Sequence, residues 1–333
     1  IVAEAGANHE GDLGTALAMV MEAKAAGADA IKFQSFLADE MVPRRHPDYA
    51  YMKKTEMPKE WYPKLREAGE KQGIIVFSTA SNETTLGWMA DLDFPCYKIA
   101  SGNLTHLPLI KEAAKIGKPL IMSTGYADMD EIRAAVETAR SAGNSQIILL
   151  HCVGNYPAFA EELNLRTMET LWDVFGCPIG YSDHTQGVEA CEVASALGAD
   201  LVEKHFTTTP RQNLGDHLIS ADPISLDRLV GFIRRAEDMC GSPEKSIGDR
   251  ERKAKAAARR VLYAARDIAA GATITTGMIS YLRPDGRLES MTGKPYDLSP
   301  SAIRWVAGRK ARRSIPAQSP IHWQDVELED VDA

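Results

Sequence analysis

Apolar and polar positions follow two periods along the first 240 residues of the chain. Short runs rich in Ile, Val, Leu, Phe and Tyr lie at 1–5, 29–34, 73–79, 96–101, 119–124, 146–152, 178–183 and 201–206. Runs of that length and content predict strands. Amphipathic stretches separate them at 13–26, 60–72, 83–92, 106–116, 128–142, 164–175, 187–197 and 224–239, and these predict helices. The breakers fall at the joins. "AAGADAIKF" (25–33) and "ALGADLVEKHF" (196–206) each end a helix at Gly and launch a strand. Eight strands, each followed by a helix, predict an α/β fold of the (β/α)8 barrel type, which takes about 250 residues. An open doubly wound sheet is the alternative. It generally has fewer strands, and its G-x-G-x-x-G fingerprint does not follow the first strand here.

The texture changes after the barrel region, 1–240. Residues 241–260, "GSPEKSIGDRERKAKAAARR" from 241 on, hold few large apolar side chains and many charges, so they read as a linker with some helical propensity. From 261 to 333 short apolar strands, a Gly turn and one short helix predict a small β-rich module.

Composition adds exclusions. Hydrophobic residues make up 44% and charged residues 25%, as in an ordinary soluble globular protein. A net charge of −8 gives no support for a nucleic-acid or anionic-membrane partner, and the basic run at 250–260 reads as a solvated face. No run approaches the roughly 18 apolar residues of a membrane span. The first residues carry no basic segment before their apolar run, so no signal peptide is expected. Five scattered cysteines without a C-x-x-C pair argue against a disulfide framework and fit a reducing cytoplasm.

In a barrel, chemistry sits where strands end. The strands end in turn on Glu4 with Asn8 and His9, Lys32 and Gln34, Ser78 and Thr79, Lys98 and Ser101, Ser123 and Thr124, His151 and Cys152, Ser182 to His184, and Glu203 to His205. Such polarity at one rim of a core has no structural use, so it points to a site. Because i and i+2 share a face, Lys32 with Gln34, Ser182 with His184, and Glu203 with His205 could each point into the barrel mouth. His184 and His205 end neighbouring strands and are candidate ligands for Mn²⁺, Fe²⁺, Co²⁺ or Zn²⁺, with Glu4, Glu203 or Asp216 as a carboxylate partner. Lys32 and Lys98, beside the hydroxyls of Thr79, Ser101 and Ser123, suit phosphate or carboxylate oxygens, although a barrel lysine can also form a Schiff base.

Taken in order, "EAGANHEGDL" (4–13), "GADAIKFQSF" (27–36), "YKIASG" (97–102), "KPLIMSTG" (118–125), "ILLHCVGNYP" (148–157), "IGYSDHT" (179–185), "GADLVEKHFT" (198–207), "GDH" (215–217), "AARDIAAGATIT" (264–275) and "YLRP" (281–284) resemble the sialic acid (N-acetylneuraminate) synthase family with its pseudaminic, legionaminic and spore-coat polysaccharide relatives. The resemblance covers essentially the whole chain. It implies a barrel followed by an antifreeze-like (SAF) module, and condensation of phosphoenolpyruvate with the aldehyde of an N-acylated hexosamine to give a nonulosonic acid and phosphate. It implies Lys32, Thr79, Lys98, Ser123 and Ser182 on phosphoenolpyruvate, with Gln34 and Ser101 in support. It implies Glu4 and Glu203 as proton or water handlers, Asp216 on a sugar hydroxyl or a metal-bound water, and Tyr156 towards the sugar. His184 and His205 would hold the divalent cation, Mn²⁺ first, with Mg²⁺ or Co²⁺ as alternatives. Arg283 would reach the N-acyl group in a partner subunit, as in a domain-swapped homodimer. The chain departs from the family at Asn103, where "SGN" replaces "SGE", so a different acceptor sugar is open. A Schiff-base aldolase using Lys32, Lys98 or Lys204, and a catalytically inactive sugar-binding relative, are the competing readings.

Overall fold

A computed structural model describes residues 1–209, 215–284 and 298–327. It divides into two compact units, Ile1–Gly241 and Ser242–Ala333.

In the first unit eight parallel strands close on themselves in sequence order. They are β1 (Val2–Gly6), β2 (Ala30–Ser35), β3 (Ile75–Ala80), β4 (Tyr97–Ile99), β5 (Leu120–Ser123), β6 (Ile147–Cys152), β7 (Ile179–Asp183) and β8 (Val202–His205). Closure comes from β8 pairing with β1, which sets Glu4 opposite His205. Helices Leu13–Ala25, Trp61–Gln72, Glu83–Asp91, Leu107–Lys115, Met129–Ser141, Thr167–Phe175, Glu189–Ala196 and Pro223–Cys240 follow the strands. Several start on side-chain caps that the sequence supplies. Asp12 accepts from the Thr15 amide, and Asn82 and Asp128 complete capping boxes. Each such cap contributes about 1 kcal/mol. Gly27 and Gly198 turn the chain from helix to strand at φ +84° and +95°, values that a side chain would strain.

The strands are buried on both faces, which is why they read as nearly continuous apolar runs. Ile31, Phe33, Phe77, Tyr97, Leu149 and Tyr181 are almost wholly excluded from solvent. Each large apolar side chain buried in this way contributes about 1.5–3 kcal/mol. The eight expected strands and eight expected helices are all present. Two short helices, Ala38–Met41 and Tyr49–Thr55, were not foreseen, because residues 37–58 carry no sustained apolar period.

In the second unit, the charged segment after Gly241 forms a helix at Asp249–Ala258. Then β9 (Val261–Ala264) and β10 (Ile279–Leu282) pair antiparallel. Leu262, Ile268, Ile274, Val306, Ala311 and Ile315 form a separate small core. The expected module 261–333 includes residues 285–297 and 328–333, which lie outside the described residues. Among the described residues no helix is long and apolar enough to cross a membrane. The five cysteines are free thiols.

Candidate active site

Barrel register sets the chemistry of the rim. Glu4 of β1 stands opposite Lys32 of β2, Gln34 opposite Thr79 of β3, Thr79 opposite Lys98 of β4, and Ser182 of β7 opposite Glu203 of β8. These side chains converge at the ends of the strands, and a cavity of about 100 Å³ opens among them. Glu4, Lys32, Gln34, Lys98 and Ser101 line one arc of it. Ser123, Tyr156, Ser182, His184, Glu203 and His205 line much of the rest.

Four charges lie buried together here. Lys32 is ion-paired with Glu4 and stands 3.6 Å from Glu203 Oε1. Lys98 Nζ is 3.2 Å from the same Glu203 oxygen, which also accepts from Ser182 Oγ at 3.0 Å. All four charged side chains are at most 6% exposed. Burial pushes the Glu203 carboxyl up, but Lys32 and Lys98 outweigh it and hold the pKa at about 2. Glu4 goes the other way. Burial raises its pKa, and the Glu203 charge adds to that against the pull of Lys32. The two carboxylates are therefore unequal: Glu203 is firmly ionised, and Glu4 holds a proton more readily. Thr79 does not line the cavity. It accepts a hydrogen bond from Lys32 Nζ at 3.1 Å and so steadies that lysine.

Among the described residues, Ser123 Oγ, Glu203 Oε2 and His205 Nδ1, all buried at this cavity, find no hydrogen-bond partner. Orphaned polar atoms are rare in folded proteins, and several around one cavity point to a polar ligand.

The imidazoles of His184 and His205 meet with ring centroids 5.4 Å apart. His184 sits in a dense set of contacts. Its Nδ1 donates to Val153 O at 2.7 Å, its Nε2 accepts from Tyr156 OH at 2.8 Å, and the Tyr156 ring stacks on it at 4.0 Å. Asp216 Oδ2 lies 3.7 Å from His205 Nδ1. Burial, reinforced by the neighbouring His205, lowers the His184 pKa to about 4. Burial and then Lys32 lower that of His205 to about 3. Both rings are thus neutral near pH 7, the form that ligates metals. Among the described residues no group of three His, Cys, Asp or Glu side chains forms a metal cage. His205 offers Nδ1, but the one lone pair of the neutral His184 ring, on Nε2, is taken by Tyr156 OH, so a cation held between the two rings would have to displace that hydroxyl and would take its other ligands from water or substrate oxygens.

One expected residue of the barrel stands apart. Asn103 does not reach the cavity; its amide donates to Ser81 O at 3.3 Å. Arg283 is exposed in the second unit, just past β10. Lys204, one of the three Schiff-base candidates, is also outside the cavity: it alternates with Glu203 and His205 and binds Asp183 on the opposite side of the strands. The sequence reading missed Tyr126, which lines the cavity from the loop after β5. Its only signal was an aromatic residue directly after the "STG" of that strand end.

The model of the NeuB family matches residues 19–245, and that of the SAF domain matches 259–327. The chain is 37% identical over 345 residues to the N,N'-diacetyllegionaminic acid synthase of Legionella pneumophila, covering 98% of this chain and 94% of that protein. An uncharacterized protein of Methanocaldococcus jannaschii is 39% identical over 326 residues, covering 98% of this chain and 94% of its own. Among solved structures, the N-acetylneuraminic acid synthetase of Leptospira borgpetersenii superposes with a TM-score of 0.73 at 35% identity, covering 76% of this chain and 88% of that one.

Proposed function

The chain belongs to the NeuB family, and from that premise we propose that it condenses phosphoenolpyruvate with the open-chain aldehyde of an N-acylated hexosamine, giving a nonulosonic acid and phosphate. One observation carries the reading. A cavity lined by two buried lysines and an orphaned serine hydroxyl adjoins a pair of neutral imidazoles and a tyrosine. The first part suits a small, highly charged anion, and the second suits a polarised oxygen.

Lys32, Lys98, Ser123 and Ser182 hold the phosphate and carboxylate oxygens, with Thr79 steadying Lys32 and with Gln34 and Ser101 supporting the site. Carbon 3 of phosphoenolpyruvate attacks the aldehyde carbon, water adds at carbon 2, and the C–O bond to phosphate breaks. Of the two protons of that water, one ends on the new hydroxyl and one on the phosphate. Glu4, whose burial favours its protonated form, is the group for moving a proton. Ionised Glu203 sits within reach of both lysines and favours their charged forms against burial. Tyr156 faces the sugar, and Asp216 takes a hydroxyl or an ordered water. A divalent cation, Mn²⁺ first, held by His184 and His205 would supply Lewis acidity at the aldehyde oxygen. Arg283 would serve the N-acyl group of a partner subunit's substrate within a domain-swapped homodimer.

The test uses phosphoenolpyruvate labelled with ¹⁸O at the bridging oxygen, Mn²⁺ and a panel of N-acylated hexosamines. The expected result is sugar-dependent phosphate that carries the label, because C–O cleavage keeps that oxygen on phosphorus. Absence of sugar-dependent phosphate across the panel would sink the reading. Mn²⁺ should also raise the melting temperature of the wild type but not of His184→Ala or His205→Ala. An equal rise in all three would remove the metal role.

A further inference from the structure

The loops after β5 and β6 meet above the cavity through one pair of residues. Tyr126 has φ +64°, in the left-handed region that non-glycine residues rarely adopt. It lines the cavity although 72% of its surface is exposed, so burial does not hold it in place. A tether does: its hydroxyl donates to the carbonyl of Gly154. A Cβ added at Gly154 would fall onto the tyrosine ring, against Cε1, Cζ and Cδ1. The ring therefore lies in the space that any side chain at 154 would need. Strain of this kind persists only where the surroundings determine it, and it gathers at functional sites.

We propose that Tyr126, seated on Gly154, is a specificity-determining residue that walls the acceptor side of the cavity. Its place on that side follows from its support. Gly154 precedes Tyr156 by two residues, and Tyr156 stacks on His184 at the end of β7, the strand that in an eight-strand closed order faces β3, between the lysine strands β2 and β4. The hydroxyl is already committed to the Gly154 carbonyl, so the ring is what Tyr126 offers a ligand. An aromatic face packs on C–H and methyl surfaces. The ligand class it fits is a sugar that presents a deoxy carbon or an acyl methyl group to it. This inference rests on the synthase reading above.

Phosphate release by the wild type, Tyr126→Gly, Gly154→Ala and the double variant tests it, with phosphoenolpyruvate and acceptor varied separately. The acceptors are N-acetylmannosamine and 2,4-diacetamido-2,4,6-trideoxymannose. Glycine accepts the left-handed φ, which offsets the lost tether and the added freedom of the unfolded chain, so Tyr126→Gly should melt within a few degrees of the wild type. Its KM for the acceptor should rise about tenfold or more, while its KM for phosphoenolpyruvate stays within about twofold. Gly154→Ala displaces the ring and should show the same acceptor defect, and the double variant should be no worse than either single one. An unchanged acceptor KM in Tyr126→Gly, additive defects in the double variant, or a parallel rise in the KM for phosphoenolpyruvate would overturn the proposal. A wild type that turns over no acceptor gives a different result: it overturns the synthase reading itself, and this inference with it.

Discussion

Lys204 and Asp183 form an ion pair at 2.6 Å with neither side chain exposed, on the side of β7 and β8 turned away from the cavity. Together they clamp the next turn. Asp183 Oδ1 accepts from the Thr185 amide at 3.0 Å, and Lys204 Nζ donates to Thr185 O at 2.6 Å. His184 lies between Asp183 and Thr185, so the backbone on both sides of the cavity-facing imidazole is fixed. Replacing Asp183 by Asn leaves a buried ammonium with an incomplete partner set. Unfolding in urea should show a loss of about 3–5 kcal/mol. Asp183→Asn combined with Lys204→Met should recover more than half of that loss, because no uncompensated charge remains. A double variant as unstable as the single one would show that charge burial is not the cause.

Ser123 separates binding from stability. Its hydroxyl is buried and has no partner among the described residues, a state that costs a folded protein about 1–3 kcal/mol. Ser123→Ala should therefore melt at the wild-type temperature or slightly above. Its KM for phosphoenolpyruvate should rise about tenfold, the value of one charge-assisted hydrogen bond. Lower stability with an unchanged KM would show that the hydroxyl is structural.

Acid should act on the fold in two windows. His184 and His205 have folded-state pKa values of about 4 and about 3, below the ordinary 6.5. As pH falls from 6.5 towards those values, the unfolded chain takes up protons that the folded one refuses, and stability drops. The loss is at most about 1.4 kcal/mol per pH unit for each ring. Glu203, held at about 2, keeps its stabilising contribution above pH 4.5 and loses it only as pH falls from there through 2. The urea midpoint should fall between pH 6.5 and 4, and the slope should flatten in His184→Gln combined with His205→Gln. An unchanged slope in that variant would place the titrating groups elsewhere.

Glu4 predicts proton uptake on ligand binding. An anion settling beside Lys32 and Lys98 adds negative charge near a carboxyl that burial already inclines towards its protonated form. Calorimetry of phosphoenolpyruvate binding near pH 8, repeated in buffers of different ionisation enthalpy, should register uptake of up to about one proton. Glu4→Gln should remove it, and equal uptake in that variant would assign the proton to another group.

Much of this was legible in the chain. Apolar runs with polar ends located every barrel strand, and period-two spacing brought Glu203 and His205 to one face with Ser182 and His184. The same logic could not say what the intervening residues did. Lys204 looked like a candidate nucleophile because its sequence neighbours are polar, and only the β7–β8 register shows that it stands opposite Asp183. Tyr126 was missed because its position depends on a left-handed φ and on a missing side chain 28 residues away, neither of which has a periodic signature. Asn103 was expected near the sugar from the resemblance at "SGN"; what the chain could not show is that a 3-10 turn at Ser101–Asn103 places its amide on Ser81 O.

The alternation at β7 and β8 places a reacting surface and its buttress on one stretch of chain, one residue out of step. Point substitutions can adjust either one alone. An inserted or deleted residue within these strands cannot, since it would swing Lys204 into the mouth and Glu203 against the helices at a stroke. Length variation among descendants of this chain is therefore barred from the strands and left to the loops, where new acceptor preferences can arise without disturbing the anion cradle.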